Sequence, residues 1–83
     1  MKYDVVLSMD AVEDTLRITM ASGSKSEVIY ALTQIQAALR SDPAASGEHL
    51  NEGLYFIDRE PLRAFFTIDA DEMSAEIVNV KQL

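Results

Sequence analysis

Cysteine is absent from this chain. That excludes a disulfide framework, thiolate chemistry and any cysteine-based zinc site. A small domain without such staples points to a reducing compartment or to stabilisation by self-association. Tryptophan is also missing, and there is one histidine, His49. No apolar run approaches the ~18 residues of a membrane helix. The opening Met1-Lys2-Tyr3-Asp4-Val5-Val6 has no apolar core of a secretory signal. Neither a signal peptide nor a membrane span is expected, and the expected location is the cytoplasm. Positive charge is scarce: seven Lys and Arg stand against fourteen Asp and Glu, a net charge of −7. Such a surface repels the nucleic-acid backbone, whose binding rests on cations displacing counterions. A nucleic-acid partner therefore requires a local basic patch that overcomes the overall field.

What is present fits one small domain spanning residues 1–83. A chain of this size buries roughly 60% of the surface it exposes when unfolded, enough for a single core. Apolar residues make up 48%, too many for intrinsic disorder. No repeat, low-complexity tract or linker interrupts the sequence.

Lys2 to Ser8 reads as a first strand around Val5 and Val6. Ala11 to Met20 carries two signals. Val12 and Leu16 sit four apart as on a helix face, with Glu13 and Asp14 suited to a first turn, while Leu16, Ile18 and Met20 alternate as in a strand. A short helix is the reading adopted. Ser24-Lys25-Ser26-Glu27 fits a capping box. Val28, Leu32, Ile35 and Leu39 then form one apolar stripe, so a helix is expected over residues 25–40, stopped by Asp42-Pro43. Asp42 to Glu52 reads as a polar loop. Short strands follow at Leu54 to Ile57, Leu62 to Asp69 and Ala75 to Lys81, with turns at Asp58 to Pro61 and Asp69 to Ser74. The order implies an α+β domain: one or two N-terminal helices packed on one face of a small antiparallel sheet of three to four strands.

A period of two assigns the faces. Leu62, Ala64, Phe66 and Ile68 belong against the helix, and Arg63, Phe65 and Thr67 point away. In the last strand Val78 and Val80 are expected in the core, leaving Ile77, Asn79 and Lys81 opposite. Arg63 and Lys81 then share the exposed face, and Arg59 reaches it from the turn. Tyr55 and Phe65, if on that face, are anchors for a protein interface. The acidic residues Asp69, Asp71 and Glu72 form an exposed hairpin, short of the ligand set and bend glycine of a calcium loop. No metal or other cofactor is expected.

The order of these pieces resembles the RelE/ParE superfamily of toxin–antitoxin toxins. A helix ends in LRSDP (Leu39 to Pro43), followed by Gly47 and Leu50, then GLYFIDREPLRAFFTID (Gly53 to Asp69), then AEIVNV (Ala75 to Val80). The resemblance covers residues 28–80 and extends to the first strand and helix. It implies two helices on one face of an antiparallel sheet whose other face forms a cleft. It also implies one of two activities, ribosome-dependent RNA cleavage or action on DNA gyrase, each neutralised by an antitoxin segment that wraps the toxin. Carried over by position, the nuclease set is depleted. Phe56 and Asp58 stand where that branch has arginines, and Val80 to Leu83 lacks its basic, aromatic tail. The catalytic candidates left are Arg63, Arg59 and Lys81. The binding candidates are Arg63, Tyr55, Phe65 and Lys81. The sequence thus points to a toxin-like protein that acts mainly by binding a protein partner, a basic, helix-containing antitoxin suiting its acidic surface. The alternatives are a residual ribosome-dependent endoribonuclease using Arg63 and a non-toxic homodimeric scaffold of the same fold.

Overall fold

The computed structural model describes residues 2–83. Five strands and three helices follow in the order β1 (Asp4–Leu7), α1 (Met9–Ala21), α2 (Lys25–Ser41), α3 (Pro43–Ser46), β2 (Glu48–Asn51), β3 (Leu54–Arg59), β4 (Leu62–Asp69) and β5 (Ser74–Gln82). The strands form one sheet in the order β1-β5-β4-β3-β2. The sheet is mixed. β2 to β5 run antiparallel to their neighbours, but β1 pairs parallel with β5, Val5 lying opposite Ala75 and Leu7 opposite Ile77. The expected sheet of three or four antiparallel strands is therefore short of one strand and of one orientation. A parallel partner needs a crossover connection, and everything from α1 to β4 provides it.

The ambiguous segment after β1 is helical. Ser8 caps α1: its hydroxyl accepts the Ala11 N–H at 3.0 Å and donates to the Val78 carbonyl at 2.9 Å. The buried side of α1 is Ala11 and Ile18, not the expected face of Val12 and Leu16, which is exposed. The long helix lies where periodicity placed it, burying Val28, Ala31, Ile35 and Leu39. Its capping box does not form. Ser24 makes no side-chain capping bond, and its backbone N–H, which Glu27 would accept in a capping box, is instead donated to the Ser22 hydroxyl at 3.0 Å. Asp42 ends α2 and starts α3, accepting the Ala45 N–H at 3.2 Å.

The expected loop from Asp42 to Glu52 holds both α3 and β2. β2 is an edge strand with all four residues exposed, so it carries no apolar alternation to mark it. It pairs with β3 across a turn in which Gly53 takes φ +70°, a conformation costly for side-chain-bearing residues. Gly47, just before β2, meets a second restriction: a Cβ there would lie 2.5 Å from Phe66 Cζ and 2.9 Å from the Phe56 carbonyl oxygen.

The core lies between the helices and one face of the sheet. Ile57, Leu62, Ala64, Phe66, Ile77 and Val80 meet the buried residues of α1 and α2. In β4 the expected faces hold, with Ile68 packed at the core's margin. In β5 they shift. Opposite Phe65 stands Asn79, and opposite Phe66 stands Ile77, so Val78 is the extra residue of a β-bulge. The bulge resets the period: Ile77 and Val80 are buried and Val78 is half-exposed, where uninterrupted alternation would put Val78 inside and Ile77 outside.

Candidate functional site on the open sheet face

The face turned away from the helices carries two cross-strand rows. One is Asp58, Arg63 and Lys81, from β3, β4 and β5. The other is Glu48, Phe56, Phe65 and Asn79, from β2 to β5. The rows exist because antiparallel register stacks opposed residues on one face at close spacing.

The two rows interlock. Arg63 Nε donates to Asp58 Oδ1 at 2.6 Å and its Nη2 to Asp58 Oδ2 at 2.8 Å, a bidentate pair. The same guanidinium lies 4.5 Å from the Phe56 ring centroid, and Lys81 Nζ lies 5.9 Å from that of Phe65. Phe56 and Phe65 are themselves 6.5 Å apart, tilted by 50°. The hydrogen bond from Arg63 holds the Asp58 carboxyl below the ordinary carboxylate range, and Asp58 in turn raises the Arg63 guanidinium further, with a smaller contribution from Glu48.

Beside this lattice a cleft of about 380 Å³ opens between α1 and the sheet. Phe65, Leu54 and Val78 supply its apolar surface, and Arg17 and Lys81 stand on it as cations. Its wall depends on Asp14, whose Oδ2 accepts the Val80 N–H at 3.0 Å and the Asn79 side-chain amide at 3.3 Å. β1 covers β5 only as far as Ile77, and beyond it α1 lies against the uncovered side of β5. The Val80 bond is the main cause of a lowered Asp14 carboxyl.

Three of the five sequence candidates meet on this face: Arg63, Lys81 and Phe65. Two do not. Tyr55 falls on the helix side, stacked on Phe66 at 5.6 Å and edge-on to His49 at 5.1 Å, because Tyr55 and Ile57 share a face of β3. Arg59 follows the same alternation, opposite the buried Leu62, and donates to the neighbouring Asp58 carbonyl at 2.7 Å. It does not join Arg63. Phe56 and Asp14 were missed. Phe56 was legible, since it alternates with Tyr55 and so must face the other way. By sequence Asp14 suits a first helical turn, whereas α1 begins at Met9 and the carboxylate serves β5. Arg63 is committed to Asp58, and His49 lies with Tyr55 on the other side. Among the described residues no cluster of three or more His, Asp or Glu is arranged to hold a metal.

The architecture has counterparts among solved structures. The toxin–antitoxin complex RelBE2 of Mycobacterium tuberculosis contains a chain that superposes with a TM-score of 0.85 at 17% identity, covering 100% of this chain and 93% of that one. The RelE–RelB complex of Pyrococcus horikoshii gives 0.73 at 13%, covering 99% and 96%. The ParDE system of P. aeruginosa gives 0.67 at 12%, covering 99% and 97%. The fold is that of the RelE/ParE toxins. No protein-family model and no curated protein matches the chain. The RelE/ParE fold is thus carried here by a sequence that has diverged from these counterparts, with the open face of the sheet holding an aromatic and ion-paired lattice.

Proposed function

We propose that this chain is a toxin-like partner in a toxin–antitoxin pair, acting through protein–protein binding at the open sheet face rather than by cleaving RNA. The observation that carries this reading is the bidentate Arg63–Asp58 pair. Stabilising a developing phosphorane requires donors free to meet new negative charge. Here the central cation is already matched by a carboxylate, in a chain of net charge −7. Half-exposed Phe56 and Phe65 beside an apolar cleft supply the rigid aromatic area that anchors protein interfaces. The docked segment would place an apolar side chain in the cleft and a carboxylate toward Lys81 and Arg17. Remaining acidic surface favours basic residues elsewhere on the partner. No described helix is long and apolar enough to cross a membrane, and a cysteine-free chain suits a reducing cytoplasm.

The test is induced expression in a bacterial host, following growth and translation for wild type, Arg63→Ala and Phe65→Glu. Growth arrest with intact translation, abolished by Phe65→Glu, supports action by binding. Blocked translation relieved by Arg63→Ala overturns it in favour of a ribosome-dependent nuclease. No effect at high expression removes both toxin readings and leaves a non-toxic scaffold.

A further inference from the structure

Helix α1 carries a second apolar face that its own core does not use. Met9 (74% exposed), Val12 (39%), Leu16 (58%) and Met20 (81%) are spaced i, i+3, i+7 and i+11, which aligns them along one side of the 13-residue helix. The buried face, Ala11 and Ile18, lies elsewhere on the helix. Scattered apolar residues on a surface need no explanation, but a continuous stripe of four does.

The flank of this stripe indicates what covers it. Glu13 and Arg17 lie four apart along the same flank. When two copies of a helix pack antiparallel about a two-fold axis, each flank meets the same flank of the other copy. The stripe is nearly symmetric about its midpoint, so Met9 then faces Met20 and Val12 faces Leu16. Glu13 of each copy falls beside Arg17 of the other. The surface is therefore complementary to itself in both shape and charge. Arg17 keeps donors for such a contact, since only Nη2 engages Asp14 and its side chain is 68% exposed.

We propose that α1 is a self-association surface, pairing antiparallel with α1 of a second copy of this chain. The four apolar residues of the stripe lie outside the Phe65 cleft, and only Arg17 borders both surfaces, so association is read from mass alone and does not require the function proposed above. One helix pair is a small interface, and the dimer is a weak one.

Light scattering and sedimentation equilibrium of the full chain, up to about 1 mM, test this directly. The mass is expected to rise with concentration from the 9.2 kDa of one chain toward twice that value. Leu16→Glu, at an exposed position, should raise the dissociation constant at least about tenfold with unchanged circular dichroism. Glu13→Arg should weaken association alone, and Glu13→Arg with Arg17→Glu should restore it to within about threefold of wild type. Because the chain has no cysteine, oxidising a mixture of Val12→Cys and Leu16→Cys proteins should give more mixed disulfide than either self-linked product. A single-chain mass at every concentration overturns the proposal. So does a dimer that Leu16→Glu leaves intact, or one in which the charge swap fails to restore association.

Discussion

Asp14 and Val80 are 66 residues apart in sequence, and the carboxylate of one accepts the backbone N–H of the other at 3.0 Å. The bond forms where β1 ends along β5. Beyond Ile77 β5 has lost its β1 neighbour, and its backbone still needs partners on that side. α1 supplies them through Asp14 and Ser8.

Removing that acceptor should be costly. Asp14→Ala strips the Val80 N–H of its partner in a setting where the Asp14 side chain is only 15% exposed. A loss of about 1–3 kcal/mol is expected. Urea denaturation followed by circular dichroism measures it, and an unchanged midpoint would show that water replaces the bond at no cost.

The same carboxylate gives the protein an acid-sensitive component. The folded Asp14 titrates below its ordinary value, chiefly through the Val80 N–H. A group of lowered folded pKa stabilises fully above the unfolded pKa of about 4, and the contribution is lost as pH falls through the folded value. Stability should therefore hold at neutral pH and decline below about pH 4, with the decline shallower in Asp14→Ala. Asp58 shifts in the same direction through Arg63, but its side chain is 39% exposed and the pair contributes little. Denaturation midpoints across that acid range test both statements.

The Arg63–Asp58 pair should matter more for electrostatics than for folding. Asp58→Asn is expected to change stability by less than about 1 kcal/mol. It releases Arg63 and reduces the net negative charge, so anion affinity should rise and become more salt-dependent. Fluorescence anisotropy with a short single-stranded RNA at two salt concentrations gives the comparison. Equal binding by both proteins would mean that Asp58 is not what keeps Arg63 from phosphate.

Two glycines should fail for different reasons. Gly53→Ala forces a side chain into φ +70° with nothing within 4 Å of the new carbon, so its cost is backbone strain alone, about 1 kcal/mol. Gly47→Ala drives a methyl against Phe66 at 2.5 Å and should cost about 1–3 kcal/mol through displaced packing. Phe66→Leu should relieve only part of the second defect in a double mutant, because the Phe56 carbonyl oxygen stays 2.9 Å from the new carbon, and it should leave the first unchanged. Additive losses at Gly47 and Phe66 would refute the steric account.

Sequence periodicity revealed those elements whose burial is one-sided. The stripe from Val28 to Leu39 and the alternation of Leu62, Ala64 and Phe66 both stand in the structure as read. β2 left no such trace, because all four of its residues are exposed and its identity comes from pairing with β3 alone. The phase of β5 was hidden for another reason. A bulge is a property of two strands in register, and nothing in SAEIVNVKQ marks Val78 as the residue with no partner. α1 misled because it has two apolar faces, and the more hydrophobic one lies outside. At the site, Arg63, Phe65 and Lys81 followed from alternation. The same alternation in β3 puts Tyr55 with Ile57 on the helix side, so its aromatic character alone does not place it at the site.

The pairing of β1 with β5 also sets the order in which this protein can assemble. β2 to β5 join through local hairpins, whose ends are close along the chain and meet at little entropic cost. β1 must wait. Its partner residues, Ser74 to Ile77, lie about seventy positions downstream, and α1 finds its Val80 anchor only once β5 is laid against β4. During synthesis the first strand and helix therefore leave the ribosome without the surface they need. The C-terminal hairpins should form the nucleus, and the N-terminal unit should dock last.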